Sequence, residues 1–299
     1  MYARADPGYG MGSHAIADGT VPEEREPATR IKEQLLLLFR SPGYKPPLLP
    51  AVALELIELS RKPRVQVAEL VGLLSRDPML AAQLLRIAAS PVYSRGEPVR
   101  SLNDAVVRLG LTRTADLFVR AALESRLLKA PGFDSVMVKL RGHSAFTAEV
   151  ARLVSDHAVG FGDYAFLCGL LHDMGVAAAL LALSEQVKPP SNPDPALLWQ
   201  ALHDIHESSS EALANVWGLP REMSLVLGLH HRLGDQKHVH PLAAAVSLAD
   251  HLAEEAGFGL FGECEAAETD AVARLLGIDA RTLAKLRESV ASLASTFRA

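Results

Sequence analysis

Proline and glycine cut this chain into short segments, and nearly every segment between the cuts reads at helical period. In the first half the breaks fall at Ser41-Pro42-Gly43, Lys62-Pro63, Asp77-Pro78, Gly110 and Pro131-Gly132. In the second they fall at Asn192, Pro193 and Pro195, then at Gly257, Gly259 and Gly262. Proline lacks an amide hydrogen and glycine loses the most backbone entropy, so both end helices. Between the breaks apolar residues recur every three to four positions, as in Val67, Leu70, Val71 and Leu74, or Leu80, Leu84 and Ile87. The apolar content is mainly Ala and Leu, and aromatics make up only 5%. Those are helix formers, whereas strands want β-branched and aromatic residues. The expectation is an all-α protein, without a strand and without a fixed-period repeat.

Local signals place the helix ends. Asp77 is a candidate N-cap with Pro78 at the first helical position. Ser101, with Asp104 three residues on, resembles a weak capping box, and Gly110 a C′ residue. Residues 1–27 are Gly-, Ala- and acid-rich without a hydrophobic period and are expected to form a flexible tail. A first helix is expected over 28–40. The second half should hold helices over 136–159, 164–184, 195–217, 220–229 and 241–256, followed by a pair over 265–276 and 280–297. The division expected is an N-terminal helical subdomain over 28–133, a second helical subdomain over 134–262, and a C-terminal helical extension over 263–299.

Charge and cysteine content exclude several classes. The net charge is −5 and the pI is near 6.1, so no basic excess advertises DNA or an acidic membrane surface. The longest apolar run, 176–183, falls far short of a spanning helix, and no signal peptide is visible. The two cysteines, Cys168 and Cys264, make neither a disulfide framework nor a zinc knuckle. Cys168 lies in an apolar run and reads as a buried small hydrophobe. A cytoplasmic location is expected.

The histidines carry the chemical information. Ten of the eleven lie from His143 onward, and several fall inside otherwise apolar helices, where an imidazole costs free energy without a partner. His172-Asp173 stands in Cys168-Gly-Leu-Leu-His-Asp-Met-Gly175. His143, His206, His230-His231 and Asp250 lie on other helices. Each alone reads more readily as a satisfied structural residue. Together they are five stretches of His and Asp on successive helices, the way a bundle builds a metal site. Imidazole and carboxylate suit Zn, Fe(II) or Mn(II). His203, spaced i, i+3 from His206, reads as solvated or capping. His238, His240 and His251 read as surface residues, Asp156-His157 as exposed, and Trp217 as a core anchor.

The order His143, His172-Asp173, Asp250 resembles the H…HD…D signature of the HD superfamily of metal-dependent phosphohydrolases. Within it, the chain is most similar to HDOD modules. The likeness is carried by Leu49-Pro50-Ala51, Ser75-Arg-Asp-Pro-Met-Leu80, Leu84-Leu-Arg-Ile-Ala-Ala-Ser90, Ser101-Leu-Asn-Asp-Ala-Val-Val-Arg-Leu-Gly110, Gly169-Leu-Leu-His-Asp-Met-Gly175, His206 with Trp217-Gly-Leu-Pro220, and His230-His231. It covers roughly residues 48–253. The resemblance implies two packed helical subdomains, the second an HD-like bundle.

It also implies a ligand set. His143, His172, Asp173 and Asp250 would hold one divalent ion (Fe, Mn or Zn), and His206, His230 and His231 a second ion or a substrate phosphate. No organic cofactor is implied. In the related HD-GYP phosphodiesterases, which hydrolyse cyclic-di-GMP, histidines matching His206, His230 and His231 help hold a second metal. The chain departs from those enzymes at Val176, where a lysine is expected, at Arg232, which replaces an acidic residue, and in lacking Gly-Tyr-Pro. A metal at such a site acts as a Lewis acid and lowers the pKa of a bound water. If the site is catalytic, Asp173 is the residue placed to orient that water, with Arg141, Arg232 or Lys237 as cationic partners for phosphate.

HDOD modules are regarded as regulatory, without an established common reaction. The expected role is therefore a bacterial signal-transduction protein acting on protein partners in trans. The alternatives are a metal-dependent phosphohydrolase acting on a nucleotide or cyclic dinucleotide, and a nucleotide sensor that binds without turnover.

Overall fold

A computed structural model describes residues 22–60, 62, 64–90, 93, 98–157, 164–186, 195–233, 239–261 and 266–298. Residues 1–21 of the expected tail, Lys237, His238 and Cys264 lie outside the described residues. Among those described, fourteen helices and no strand are found. They are α1 (Pro22–Arg40), α2 (Ala51–Ser60), α3 (Val67–Leu74), α4 (Pro78–Ala88), α5 (Leu102–Leu109), α6 (Leu111–Arg126) and α7 (Asp134–Ser155). There follow α8 (Ala165–Leu171), α9 (Met174–Gln186), α10 (Pro195–Val216), α11 (Arg221–Leu229), α12 (Pro241–Glu255), α13 (Ala266–Leu275) and α14 (Ala280–Arg298). The fold is all-α.

Several ends follow the sequence signals. The Asp77 carboxylate accepts from the backbone N–H groups of Met79 and Leu80, both at 3.2 Å, with Pro78 at the first position. Ser101 Oγ accepts from Asp104 N–H at 3.1 Å, and the Asp104 carboxylate reaches back to Arg100 N–H at 3.0 Å. Gly110 turns between α5 and α6 at φ 83°, a conformation that glycine adopts without a Cβ penalty.

Two expectations are corrected. α1 begins at Pro22, so Pro27 lies inside a helix rather than ending a tail. As the sixth residue of α1, Pro27 forfeits one helical hydrogen bond, to the Glu23 carbonyl, without ending the helix. The single helix expected over 164–184 is two helices, broken at His172-Asp173. A continuous helix would send Gly175 N–H to the Leu171 carbonyl; here it donates instead to Ser210 Oγ at 2.9 Å. The stretch 165–185 also has the length and mean hydropathy (1.9) of a membrane span, which the run 176–183 alone did not suggest. Within the fold 94% of its apolar window is buried against other helices.

α2 packs on α3 and α6, and α3 and α4 pack on α5 and α6. In the second group α7 lies against α8 and α12, and α10 against α9 and α11, while α11 and α8 both reach α12. α1 crosses to this second group and packs on α9 and α10, where Lys32 pairs with Asp204 at 2.8 Å. Trp217, buried as expected, donates from Nε1 to the Pro47 carbonyl at 2.8 Å and ties the two groups together. One apolar cluster runs from Leu35 to Ala294. Within it Phe146 stacks on Phe258 at 4.0 Å, and Phe297 meets Phe146 edge-on.

Two glycines allow the second group to close. A Cβ on Gly169 would lie 2.9 Å from Ala151 Cβ and 3.0 Å from Ala148 Cα, so α8 approaches α7 backbone to backbone. A Cβ on Gly175 would lie 2.4 Å from the His206 carbonyl oxygen and 2.7 Å from Ser210 N, both rigid backbone of α10. Gly175→Ala is therefore expected to destabilise the fold by about 3 kcal/mol or more, since overpacking against backbone cannot relax. Gly72→Ala, in the middle of α3 with nothing within 4 Å of its new Cβ, is expected to stabilise by about 0.5–1 kcal/mol. Chemical denaturation of the two variants checks both signs.

Candidate metal centre

The break at His172-Asp173 places both residues in a turn at the centre of the second helix group. His143 projects from the middle of α7, His206 from α10, His230 and His231 from the end of α11, and Asp250 from α12. All seven meet. His143 Nε2 lies 3.0 Å from His172 Nε2, 3.3 Å from Asp173 Oδ2 and 3.3 Å from Asp250 Oδ1. His206 Nε2 lies 3.2 Å from His230 Nε2, and each is within 3.8 Å of Asp173 Oδ1. His231 Nε2 stands 3.7 Å from Asp250 Oδ2. Asp173 thus faces two groups of imidazoles at once, one with each oxygen.

Carbonyls behind the rings fix their orientation. His143 Nδ1 is 2.8 Å from the Phe258 carbonyl and His172 Nδ1 is 2.8 Å from that of Gly169. His206 Nδ1 is 2.6 Å from the His203 carbonyl and His230 Nδ1 is 3.0 Å from that of Leu227. A carbonyl only accepts, so each Nδ1 carries the proton, and in its neutral form each ring presents an Nε2 lone pair to the centre. Two lone pairs at 3.0 or 3.2 Å repel unless a cation lies between them. This backbone support behind the rings is the usual setting of metal-ligating histidines.

The carboxylates make the same demand. Asp173 Oδ1 and Asp250 Oδ1 are buried without a hydrogen-bond donor. Burial opposes ionisation of Asp173, but the charges of His172 and His206 outweigh it and hold the acid well below its usual range. Asp250 is shifted the same way, burial being overcome by hydrogen bonding from His172 and by the charge of His143. Burial also opposes a charge on His172, yet Asp173 and Asp250 raise its pKa to about 9. His230 is pushed well down, first by burial and then by the neighbouring imidazoles. The cluster is therefore an anionic, nitrogen-rich pocket able to hold a metal, with His143, His172 and Asp250 as one donor set and His206, His230 and His231 as another.

Six of the seven residues are buried; His231 alone is open, with 30% of its side chain exposed. Around it stand residues with no signal of their own in the sequence. Phe261 lies against His206 at 4.9 Å and His203 at 5.3 Å, and meets Trp199 edge-on. Glu207 accepts from His231 N–H at 3.0 Å and Arg232 Nε at 2.8 Å, and so fixes the end of α11. Adjacency to His206 was the one cue to Glu207, and Phe261 was hidden among loop glycines.

His203 is half exposed at the rim, and Asp156-His157 are exposed, as expected. His240 and His251 are half-buried rather than fully on the surface, and their Nδ1 atoms are buried without a hydrogen-bond partner. Cys168 is fully buried, and burial pushes its thiol pKa up. Val176 is fully buried core. Arg141 donates to the Leu128 carbonyl at 2.9 Å, and Arg232 is held by Glu207.

In the metal-free protein, nitrogen-detected NMR of the ring resonances is expected to show His206 and His230 as Nδ1–H tautomers. Zn(II) should move their Nε2 signals most. Nε2–H tautomers at both would overturn the inward lone pairs.

Comparison with known proteins bears on the fold and the family. The chain is 26% identical over 214 residues to an uncharacterized protein of Treponema pallidum (strain Nichols), a match covering 68% of this chain and 41% of that relative. Its fold is similar to an HDOD domain protein of unknown function from Geobacter sulfurreducens, with TM-score 0.68, 22% identity, and 90% of this chain and 98% of that one covered. It is also similar to a protein from Shewanella amazonensis SB2B provisionally named a metal-dependent phosphohydrolase, with TM-score 0.67, 21% identity, and 90% and 99% covered. A provisionally named signal transduction protein from Marinobacter aquaeolei VT8 shares the fold at TM-score 0.64 and 23% identity, over 92% of this chain and 67% of that one. The HDOD domain profile matches residues 47–233, which include every clustered residue except Asp250. With the profile spanning most of the chain and these folds superposing on nearly all of it, the protein belongs to the HDOD family.

Proposed function

We propose that this protein is a regulatory HDOD protein of the cytoplasm, in which a divalent metal held by the His/Asp cluster fixes the helix arrangement that protein partners read. His143, His172, Asp173 and Asp250 would hold the first ion, of Fe, Mn or Zn, and His206, His230 and His231 a second. A bound divalent cation supplies Lewis-acid polarisation of a phosphoryl oxygen.

One observation favours regulation over turnover: the donor set is buried, and the cations around it are committed elsewhere. Arg141 serves a carbonyl of the α6–α7 connection, Arg232 serves Glu207, and Lys139 donates to the Leu260 carbonyl at 3.0 Å while lying over Trp199. Val176 fills core space. Phosphoryl transfer depends on positioned positive charge around the phosphate oxygens, and among the described residues only the metal itself would supply it. The chain's side chains instead hold protons and rings in place: the four carbonyls orient the imidazoles, and Glu207 sets the α11 terminus. The partner is proposed to meet the α2–α6 group, whose leading connector the Trp217–Pro47 hydrogen bond ties to the end of α10, the helix that carries His206.

The second reading, a phosphohydrolase acting on a nucleotide or cyclic dinucleotide, draws on one feature. Asp173 faces both donor sets, and His231 opens the second of them to solvent. In that case Asp173 orients the attacking water.

Elemental analysis of the purified protein is expected to find bound divalent metal, with no hydrolysis of bis(p-nitrophenyl) phosphate or cyclic dinucleotides. Replacing His172 and Asp173 together by Ala should abolish the metal. Unchanged metal content in that variant would place the ion elsewhere. Turnover that disappears in Asp173→Asn would establish the enzymatic reading.

A further inference from the structure

A cavity of about 690 Å³ lies away from the metal centre, where α6, α7 and α14 come together. Three arginines line it, Arg113 and Arg120 from α6 and Arg152 from α7. Arg113 gives one nitrogen to both Glu149 and the Tyr93 hydroxyl, the latter at 2.7 Å. Glu149 is nearly fully buried, and Arg152 Nε stands 3.6 Å from it. One carboxylate thus serves two guanidinium groups. Arg113 Nη1 and Arg152 Nε are buried without an acceptor, and unpaired donors on charged groups are costly. Arg120 pairs with Glu124 at 2.7 Å and lies over the Phe297 ring at 5.4 Å.

We propose that this cavity binds a nucleoside monophosphate. The size is that of a small-molecule site. Guanidinium groups with unused donors suit a phosphate, which they bind bidentately. The rings of Tyr93 and Phe297, with the flat face of Arg120, suit a planar base. With Asp116, Glu124 and Glu149 also in its lining, the cavity has no excess of positive charge with which to hold a polyphosphate.

The location gives the site a regulatory meaning independent of the metal reading. Glu149 and Arg152 stand on α7, the helix that carries His143, while Phe297 stands on α14, beyond the residues that the HDOD profile matches. A ligand here touches the N-terminal helix group, the metal-bearing helix and the C-terminal helix at once.

The test is calorimetric titration of the chelator-treated full chain with AMP and GMP, alongside adenosine and inorganic phosphate. At least one nucleotide is expected to bind and to raise the melting temperature, with adenosine and phosphate each much weaker. Arg120→Gln and Arg152→Gln, both confirmed folded by circular dichroism, should each weaken nucleotide binding about tenfold. The site is overturned if neither nucleotide binds, or if phosphate alone binds as well as a nucleotide. Binding that is unchanged in both variants, or that requires added Mn(II), overturns it too.

Discussion

Two buried carboxylates, each with one oxygen that lacks a hydrogen-bond donor, govern this structure. Asp173 and Asp250 are held anionic in the interior by imidazoles from four helices, and an uncompensated charge there is far too costly to tolerate. The helices must therefore bring the histidines to them. α7, the α8–α9 turn, α10, α11 and α12 each deliver one part of the shell, and the glycines at 169 and 175 let the backbones come close enough. The same demand explains the carbonyl behind four of the five rings. With those four Nδ1 protons turned outward, the centre is left lone pairs and negative charge, an arrangement that a proton satisfies only in part.

The centre is also coupled to its surroundings. His172 is bonded to the carbonyl of Gly169, whose lack of a side chain sets the α7–α8 distance. His206 belongs to the turn of α10 that presses on Gly175. His143 shares α7 with the Glu149–Arg113 pair and is bonded to the carbonyl of Phe258, itself stacked on Phe146. A change in any one of these contacts shifts a donor atom, so the cluster is as much a gauge of helix packing as a site of chemistry. That suits the regulatory role proposed for this protein.

Much of this was legible from residue order. Helical period, proline and glycine stops and the caps at Asp77 and Ser101 are local, so most helices follow from the sequence. The histidines were identifiable because a polar ring in an apolar helix demands a partner. What was hidden was non-local. The break before Gly175 arises from a hydrogen bond to Ser210 on another helix, and no nearby residue encodes it. Pro27 reads as a stop although it lies within α1. Arg141 and Arg232 look like phosphate ligands until their partners, a carbonyl and Glu207, are seen. Phe261 gains its role only from the packing of α10 against the chain that follows α12, and Glu207 only from the packing of α10 against the end of α11.

The spread of the donor atoms along the chain bears on how the protein reaches this state. The α2–α6 group is built from neighbours in sequence, so its contacts close small loops and can form early. The cluster joins α7 to α12 across most of the second half, and Asp250 meets its imidazoles only once α12 has packed on α7, α8 and α11. Assembly of that half is therefore expected to be the slow phase of folding, with the two aspartates remaining hydrated until it ends.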